Sequence, residues 1–129
     1  LLIELDRAPD GVYWSFQLGD VWSRSLNFSS RQSSLNNREI QVDADGAVRI
    51  VVSRRDPGVS NWLDPCGRVE GTVVFRNYRA SAAPPPASRR LKLAELDAAL
   101  PAGTARVTPA QRQRNLEQRR IAQRRLYGE

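Results

Sequence analysis

The sequence predicts a mainly β protein, an antiparallel β-sandwich of the jelly-roll type with a C-terminal α-helical extension. Short apolar runs recur between clusters of Gly, Pro, Asn, Asp and Ser, which is typical of strands joined by turns. No convincing helical periodicity separates these runs, and the one strong helix start lies near residue 108. We expect strands over residues 1–6, 12–18, 39–42, 47–53 and 71–78, followed by the helical extension.

Residues 12–18 make the clearest strand, because four apolar side chains fall on one face and Tyr13, Ser15 and Gln17 on the other. The Ala-Pro-Asp-Gly turn signal at residues 8–11 predicts a hairpin between strands 1–6 and 12–18. An Asp-Gly pair at residues 45–46 predicts a second hairpin turn. Residues 19–37 are predicted to be mostly loop, with one short turn of helix or strand.

Residues 54–70 form a loop that is rich in turn residues and that leads into the last strand. Asp56 precedes a Pro-Gly pair and Asp64 precedes a proline, and aspartate at such positions usually forms an Asx-turn. Loops with this many special residues have a defined shape, and sites are often built on them.

The chain divides into three predicted parts: a β-sandwich domain at residues 1–79, a linker at 80–90 and a basic helical tail at 91–129. An Ala-Pro-Pro-Pro-Ala stretch indicates an extended, semi-rigid linker. Thr108 as N-cap, Pro109 at the first position and Gln111 as its capping-box partner predict a helix that ends near Tyr127, with Gly128 past its end. The chain opens on Leu-Leu-Ile-Glu-Leu, so we expect a piece of a longer protein.

Charge is distributed unevenly along the 129 residues, which carry a formal net charge of +6. Residues 1–79 contain ten basic and ten acidic side chains, whereas residues 80–129 contain ten basic and four acidic ones. The whole net charge therefore belongs to the tail. We expect the arginine-rich helix to be solvated or docked on protein. An anionic partner or nucleic acid is the alternative hypothesis, although the absence of interleaved aromatics disfavours nucleic acid.

The composition excludes several kinds of chemistry. The chain has no His and one Cys, Cys66, so Ser-His and Cys-His nucleophile pairs, ordinary zinc sites and internal disulfides are excluded. We expect no metal, no cofactor and no catalytic set, and an enzyme is disfavoured but not dismissed. The enzymatic alternative places a carboxylate and arginine site in the 54–70 loop, at Arg55, Asp56, Asp64 and Glu70.

The aromatic residues allow two interpretations. They are the core of a small sandwich, or some of them line a pocket for a sugar, a sterol or another flat ligand. The second interpretation concerns Trp62 most, because it lies in the 54–70 loop between two breaks.

Three stretches resemble a bacterial family, namely the C-terminal region of proteins with domain of unknown function 1214. They are Tyr-Trp-Ser-Phe-Gln-Leu at residues 13–18, Ser-Leu-Asn-Asn at 34–37, and the run from Asp56 to Asp64 with Glu-Gly-Thr at 70–72. The resemblance covers roughly residues 1–79 and implies a jelly-roll-like sandwich within a longer parent protein. It brings no established catalytic residues. If the matched positions mark a binding site, its residues are Tyr13, Trp14, Asn36, Asn37, Asp56, Asn61, Trp62 and Asp64.

The leading hypothesis is a non-catalytic binding or structural module of a larger bacterial protein. Its expected partners are the rest of the parent chain or a second copy, with a small-molecule ligand as a further option. No run approaches the roughly 20 apolar residues of a membrane-spanning helix. The sequence does not fix a cellular compartment, although the cytoplasm is slightly favoured.

Overall fold

In the described part of the chain, seven strands form two sheets, and a 3-10 turn, a short α-helix and a longer C-terminal α-helix follow them. The computed structural model describes residues 1–82 and 84–128. The elements are β1 (Leu2–Leu5), β2 (Tyr13–Gly19), β3 (Ser34–Asn36), β4 (Val48–Val52), β5 (Trp62–Leu63), β6 (Thr72–Tyr78), β7 (Ala87–Arg89), a 3-10 turn (Leu93–Glu95), α1 (Leu96–Ala99) and α2 (Pro109–Tyr127).

One sheet has four strands in the order β5-β4-β1-β7, and the other has three in the order β3-β2-β6. All neighbours are antiparallel except β4 and β5, which run parallel. The predicted mainly β architecture with a helix at the C-terminal end is therefore confirmed. The jelly-roll connectivity stays a prediction.

The main core draws on both sheets. The four-stranded sheet contributes Ile3, Leu5, Val48, Ile50 and Leu63, and the three-stranded sheet contributes Trp14, Phe16, Leu18 and Leu35. The Phe16 and Phe75 rings stack with their centroids 4.7 Å apart, which ties β2 to β6. Burying side chains of this size stabilises the fold by roughly 2–3 kcal/mol each. The layer between the two sheets is therefore a main source of stability.

A second apolar cluster covers the opposite face of the four-stranded sheet. Leu2 of β1 and Val51 of β4 pack there against Leu96 and Leu100, which α1 and its C-cap supply. The four-stranded sheet is thus buried on both faces. This explains why β1 lacks clean alternation in the sequence, since Leu2 and Ile3 point in opposite directions and both are buried.

Two strand predictions are wrong. Strands β1 and β2 do not form a hairpin, because β1 pairs with β4 and β7 whereas β2 lies in the other sheet. Residues 39–42 are not a strand, because the Asn61 side chain bonds both the N–H and the carbonyl of Gln41 and so takes the place of a neighbouring strand. Strand β3 lies instead at residues 34–36, within the predicted loop. The predicted turn at residues 43–46 is present, closed by the Gly46 N–H and the Asp43 carbonyl.

The predicted division at residues 79 and 90 stays a prediction, and the structure adds contacts across it. Strand β7 lies inside the predicted linker and pairs antiparallel with β1. Two residues of these predicted parts, Ala83 in the linker and Glu129 in the tail, lie outside the described residues. Residues 87–89 therefore take part in the four-stranded sheet.

Helix α2 has the predicted ends. The Thr108 hydroxyl accepts a hydrogen bond from the Gln111 N–H at 3.2 Å, and the Gln111 side chain accepts one from the Thr108 N–H at 2.8 Å. Gly128 ends the helix in the left-handed conformation, at φ 72°. This reciprocal capping satisfies two helix N–H groups and fixes where the helix begins.

Helix α2 is held to the β layers by polar contacts. The segment just before it pairs with the 54–70 loop, through the Ser60 N–H to Ala105 and the Val107 N–H to Gly58. Arg112 then lies buried in that loop, with its Nε 2.8 Å from Asp56 Oδ2 and its Nη1 3.0 Å from Gln32 Oε1. The same guanidinium donates to the Val59 carbonyl and lies 5.0 Å from the centre of the Trp62 ring.

We expect Arg112→Met to lower the free energy of unfolding by about 2–3 kcal/mol, because it leaves Asp56 and two buried acceptors without their donor. Arg114→Met is the matched control, since Arg114 is exposed on the same helix and should change stability by less than about 0.5 kcal/mol. Urea unfolding of both variants measures the difference. Equal effects would contradict a docking role for Arg112.

Candidate functional site

A groove of about 390 Å³ lies between the second half of α2 and the outer face of the three-stranded sheet. Strand β2 supplies its floor, β3 and the following turn supply one side, and α2 supplies the other. The lining residues are Tyr13, Ser15, Gln17, Phe28, Ser34, Leu35, Asn36, Arg38, Glu39, Arg119, Ala122 and Gln123.

Strand alternation explains why the floor is polar. Trp14, Phe16 and Leu18 of β2 point into the main core, so Tyr13, Ser15 and Gln17 point the other way. Strand β3 pairs with β2 so that Asn36 lies opposite Ser15 and Ser34 lies opposite Gln17. Directly opposed residues share a face, so these polar side chains gather on one surface.

Arg119 holds the helical side of the groove in place. Its Nη2 lies 2.9 Å from the Ser34 carbonyl and 2.6 Å from Glu39 Oε1, and its Nη1 lies 3.4 Å from the Phe28 carbonyl. Glu39 also accepts the Asn36 N–H at 2.9 Å. Arg119 follows Arg112 by seven residues, or about two helical turns, so both arginines project from the same side of α2.

Two shielded polar atoms in the groove have no hydrogen-bond partner among the described residues. They are the Ser15 hydroxyl oxygen and the Gln123 Oε1. Ser15 is only 3% exposed. Leaving a buried polar group unpaired costs about 1–3 kcal/mol, so such atoms are rare in native proteins and call for an explanation.

Other polar groups of the groove already have hydrogen-bond partners within the protein. Gln17 donates to the Ser25 hydroxyl at 2.7 Å and accepts from Arg76 at 2.9 Å. The Asn36 Oδ1 accepts the Arg38 N–H at 2.9 Å. The groups that remain able to contact a ligand are therefore Ser15, Gln123, the Asn36 amide nitrogen and the Tyr13 ring, which is 43% exposed.

The eight residues predicted as a binding site do not come together. Tyr13 and Asn36 line the groove. Trp14 is a core residue, and Asn37 lies beside the groove with its N–H bonded to the Trp14 carbonyl at 2.9 Å. The other four, Asp56, Asn61, Trp62 and Asp64, belong to the 54–70 loop and make internal contacts.

In that loop the predicted Asx-turns are present, and each carboxylate also pairs with an arginine. Asp56 Oδ1 accepts the Gly58 N–H at 2.9 Å, and Asp64 Oδ1 accepts the Cys66 N–H at 2.8 Å. Asp56 pairs with Arg112, whereas Asp64 lies 2.5 Å from the Nε of Arg31. These two carboxylates therefore have separate structural partners.

Asn61 and Trp62 are also tied into the fold. The Asn61 amide donates to the carbonyls of Gln41 and Arg49, and the Trp62 indole N–H donates to the Ser53 carbonyl at 2.9 Å. Trp62 lies in the second apolar cluster, with the Arg112 guanidinium over its ring.

The remaining candidates for chemistry in this loop are Arg55, Glu70 and Cys66. Arg55 and Glu70 are exposed, and no hydrogen bond or ion pair among the described residues joins them to Asp56 or Asp64. Burial raises the pKa of the Cys66 thiol, and the Asp64 carboxylate raises it further. The nucleophilic thiolate is therefore scarcer at neutral pH than for an ordinary cysteine.

Sequence reasoning missed Ser15, Arg119 and Gln123. The alternation of β2 placed Ser15 on the face opposite the core, but nothing in the sequence indicated that a helix would shield that face. The seven-residue spacing of Arg112 and Arg119 was a signal that both lie on one side of α2. Arginine side chains are usually exposed, so this spacing alone does not indicate that Arg112 is buried.

We expect Ser15→Ala to leave the free energy of unfolding unchanged or to raise it by up to about 1 kcal/mol, because it removes a buried hydroxyl that has no partner. Asn61→Ala is the contrasting control and should lose about 2 kcal/mol or more, because it unpairs three backbone groups. Chemical denaturation of the ligand-free protein measures both.

A substantial loss of stability in Ser15→Ala would contradict this assignment. So would strong coupling between Ser15→Ala and Gln123→Ala, since a double-mutant cycle would then show that the two side chains bond each other.

Comparisons with known proteins give one structural relative. No protein-family model matches the chain, and no curated protein matches it. The chain is similar to an uncharacterised protein from Burkholderia cenocepacia of known crystal structure, with a TM-score of 0.70 and 34% identity. The match covers 72% of this chain and 26% of that protein, so the chain spans about a quarter of its length.

Across residues 1–82 and 84–128, no helix has the length and apolar character needed to cross a membrane. In the same part of the chain, no group of three or more Cys, Asp or Glu side chains lies close enough to hold a metal ion.

Proposed function

We propose that this chain is a non-catalytic β module that binds a small polar molecule in the groove between α2 and the three-stranded sheet. The observation that carries the proposal is the pair of shielded, unpartnered atoms on Ser15 and Gln123. A bound ligand with complementary hydroxyl or amide groups would satisfy both atoms once the two side chains rotate toward the groove. The groove volume also lies within the roughly 300–1,000 Å³ that is typical of small-molecule sites.

The structure also supports binding over catalysis. Of the groove's ionisable groups, Arg119 and Glu39 pair with each other at 2.6 Å. The groove contains neither His nor Cys, and Glu39 also accepts a backbone N–H. General acid–base work needs a group that is free to exchange a proton with the substrate, and Glu39 is held in two contacts instead.

The same proposal places the module within a larger bacterial protein of the domain of unknown function 1214 type. The motifs at residues 13–18, 34–37 and 56–64 support it, and the relative from Burkholderia cenocepacia is about four times as long as the matched part. In this proposal Asp56 and Trp62 of the 54–70 loop serve to dock α2 through Arg112, and α2 in turn forms one wall of the groove.

The test uses ligand-observed saturation-transfer NMR with D-glucose, cellobiose, sodium acetate and acetamide as probes. We expect at least one probe to receive saturation from the wild-type protein and to lose it in Ala122→Trp, which fills the groove from the helix. Ala110→Trp is the matched control, because Ala110 is exposed on the same helix outside the groove.

Two outcomes would contradict the proposal. In one, no probe receives saturation from the wild-type protein. In the other, Ala122→Trp and Ala110→Trp give the same signals as the wild type, so that any binding lies elsewhere.

A further inference from the structure

We propose that the molecule bound in the groove is an uncharged polyhydroxylated ring compound, that is, a mono- or disaccharide. This inference rests on the proposed binding function and adds the chemical class of the ligand. It depends on three properties of the groove: its charge, its mixture of donors and acceptors, and its exposed aromatic ring.

The first property is that the walls carry little free charge. The Arg119 guanidinium is engaged by Glu39 and the Ser34 carbonyl, and its side chain is only 11% exposed. Arg38 is the other lining cation, and because its side chain is exposed, its charge is screened by water and salt. A ligand that reaches the shielded atoms therefore gains little from carrying a charge, so these atoms favour a neutral ligand.

The second property is that the groups without partners include hydrogen-bond donors as well as acceptors. The Gln123 Oε1 only accepts, whereas the Ser15 hydroxyl donates and accepts. Asn36 keeps its amide nitrogen as a donor, because its Oδ1 already accepts the Arg38 N–H. A ligand that pairs with all three must itself present donors and acceptors side by side, and vicinal hydroxyl groups do this.

The third property is an aromatic surface beside these groups. Tyr13 lies at the end of β2 with 43% of its surface exposed, and half-buried Phe28 lines the same groove. A sugar ring has an apolar face of C–H groups and a polar edge of hydroxyls. Its apolar face can pack on the tyrosine ring while its edge reaches Ser15 and Asn36, and the phenol also provides a polar end.

Isothermal titration of the whole chain with cellobiose, maltose and D-glucose tests the inference, with sodium acetate, sodium phosphate and acetamide as comparison ligands. We expect at least one saccharide to bind more tightly than every comparison ligand. Tyr13→Ala should weaken it by about tenfold and Ser15→Ala by about fivefold, the losses expected for an aromatic contact and one hydrogen bond. A rise in salt should change the affinity by less than about twofold, since screening acts on charged pairs.

Trp22→Ala is the control for removing an exposed aromatic, because Trp22 is 77% exposed and lies outside the groove. If acetate, phosphate or acetamide binds in the groove and no saccharide does, the ligand class is wrong and the proposed binding function stands. If no compound binds in the groove, the ligand class and the proposed binding function are both wrong. Equal weakening by Tyr13→Ala and Trp22→Ala would also overturn the inference, because the saccharide would then bind outside the groove.

Discussion

The arrangement of this molecule depends on one buried arginine. Arg112 brings a positive charge from α2 into the 54–70 loop, where it meets Asp56, Gln32, the Val59 carbonyl and the face of Trp62. Burying a charge is unfavourable unless it is paired and fully hydrogen-bonded, and here every side of the guanidinium has a partner. Few apolar side chains of α2 share one face. The Arg112 contact therefore substitutes for the apolar stripe that usually docks a surface helix. The turn residues of the loop, which first suggest an active site, are needed to shape this arginine pocket.

The position of the groove follows from that contact. With its first turns fixed by Arg112 and the 105–107 pairing, α2 extends toward β3, where Arg119 bonds Ser34 and Glu39. Its second half therefore shields part of a sheet face that would otherwise be open to water. The hydroxyl of Ser15 loses its hydration in this way without gaining a protein partner. The fold thus places an unsatisfied polar surface under a helix that is held in place by charge.

The sequence predicted those features that depend on neighbouring residues. The cap of α2 involves Thr108 and Gln111, and the Asx-turn of Asp56 involves Gly58, so both could be predicted from residues that are close in sequence. Pairing between distant segments was not readable: Leu2 and Ile3 face two different cores, and no local pattern shows which strand lies beside β1. The Arg112 contact joins residues 56 positions apart, and its burial contradicts the usual exposure of arginine. Within the site, alternation placed Tyr13 and Ser15 on one face, but only the docked helix makes Ser15 a shielded group.

The central claim is that Arg112 holds α2 over the three-stranded sheet, and amide hydrogen exchange tests it most directly. In Arg112→Met, the amides of residues 113–127 should exchange at least about tenfold faster than in the wild type, while those of β2 and β6 keep their protection, because loss of the contact frees the helix before the sheets open. Arg114→Met should leave both regions unchanged. Helix amides that exchange equally fast in the wild type and in Arg112→Met would contradict the account. So would a loss of protection that is the same in the helix and in the sheets.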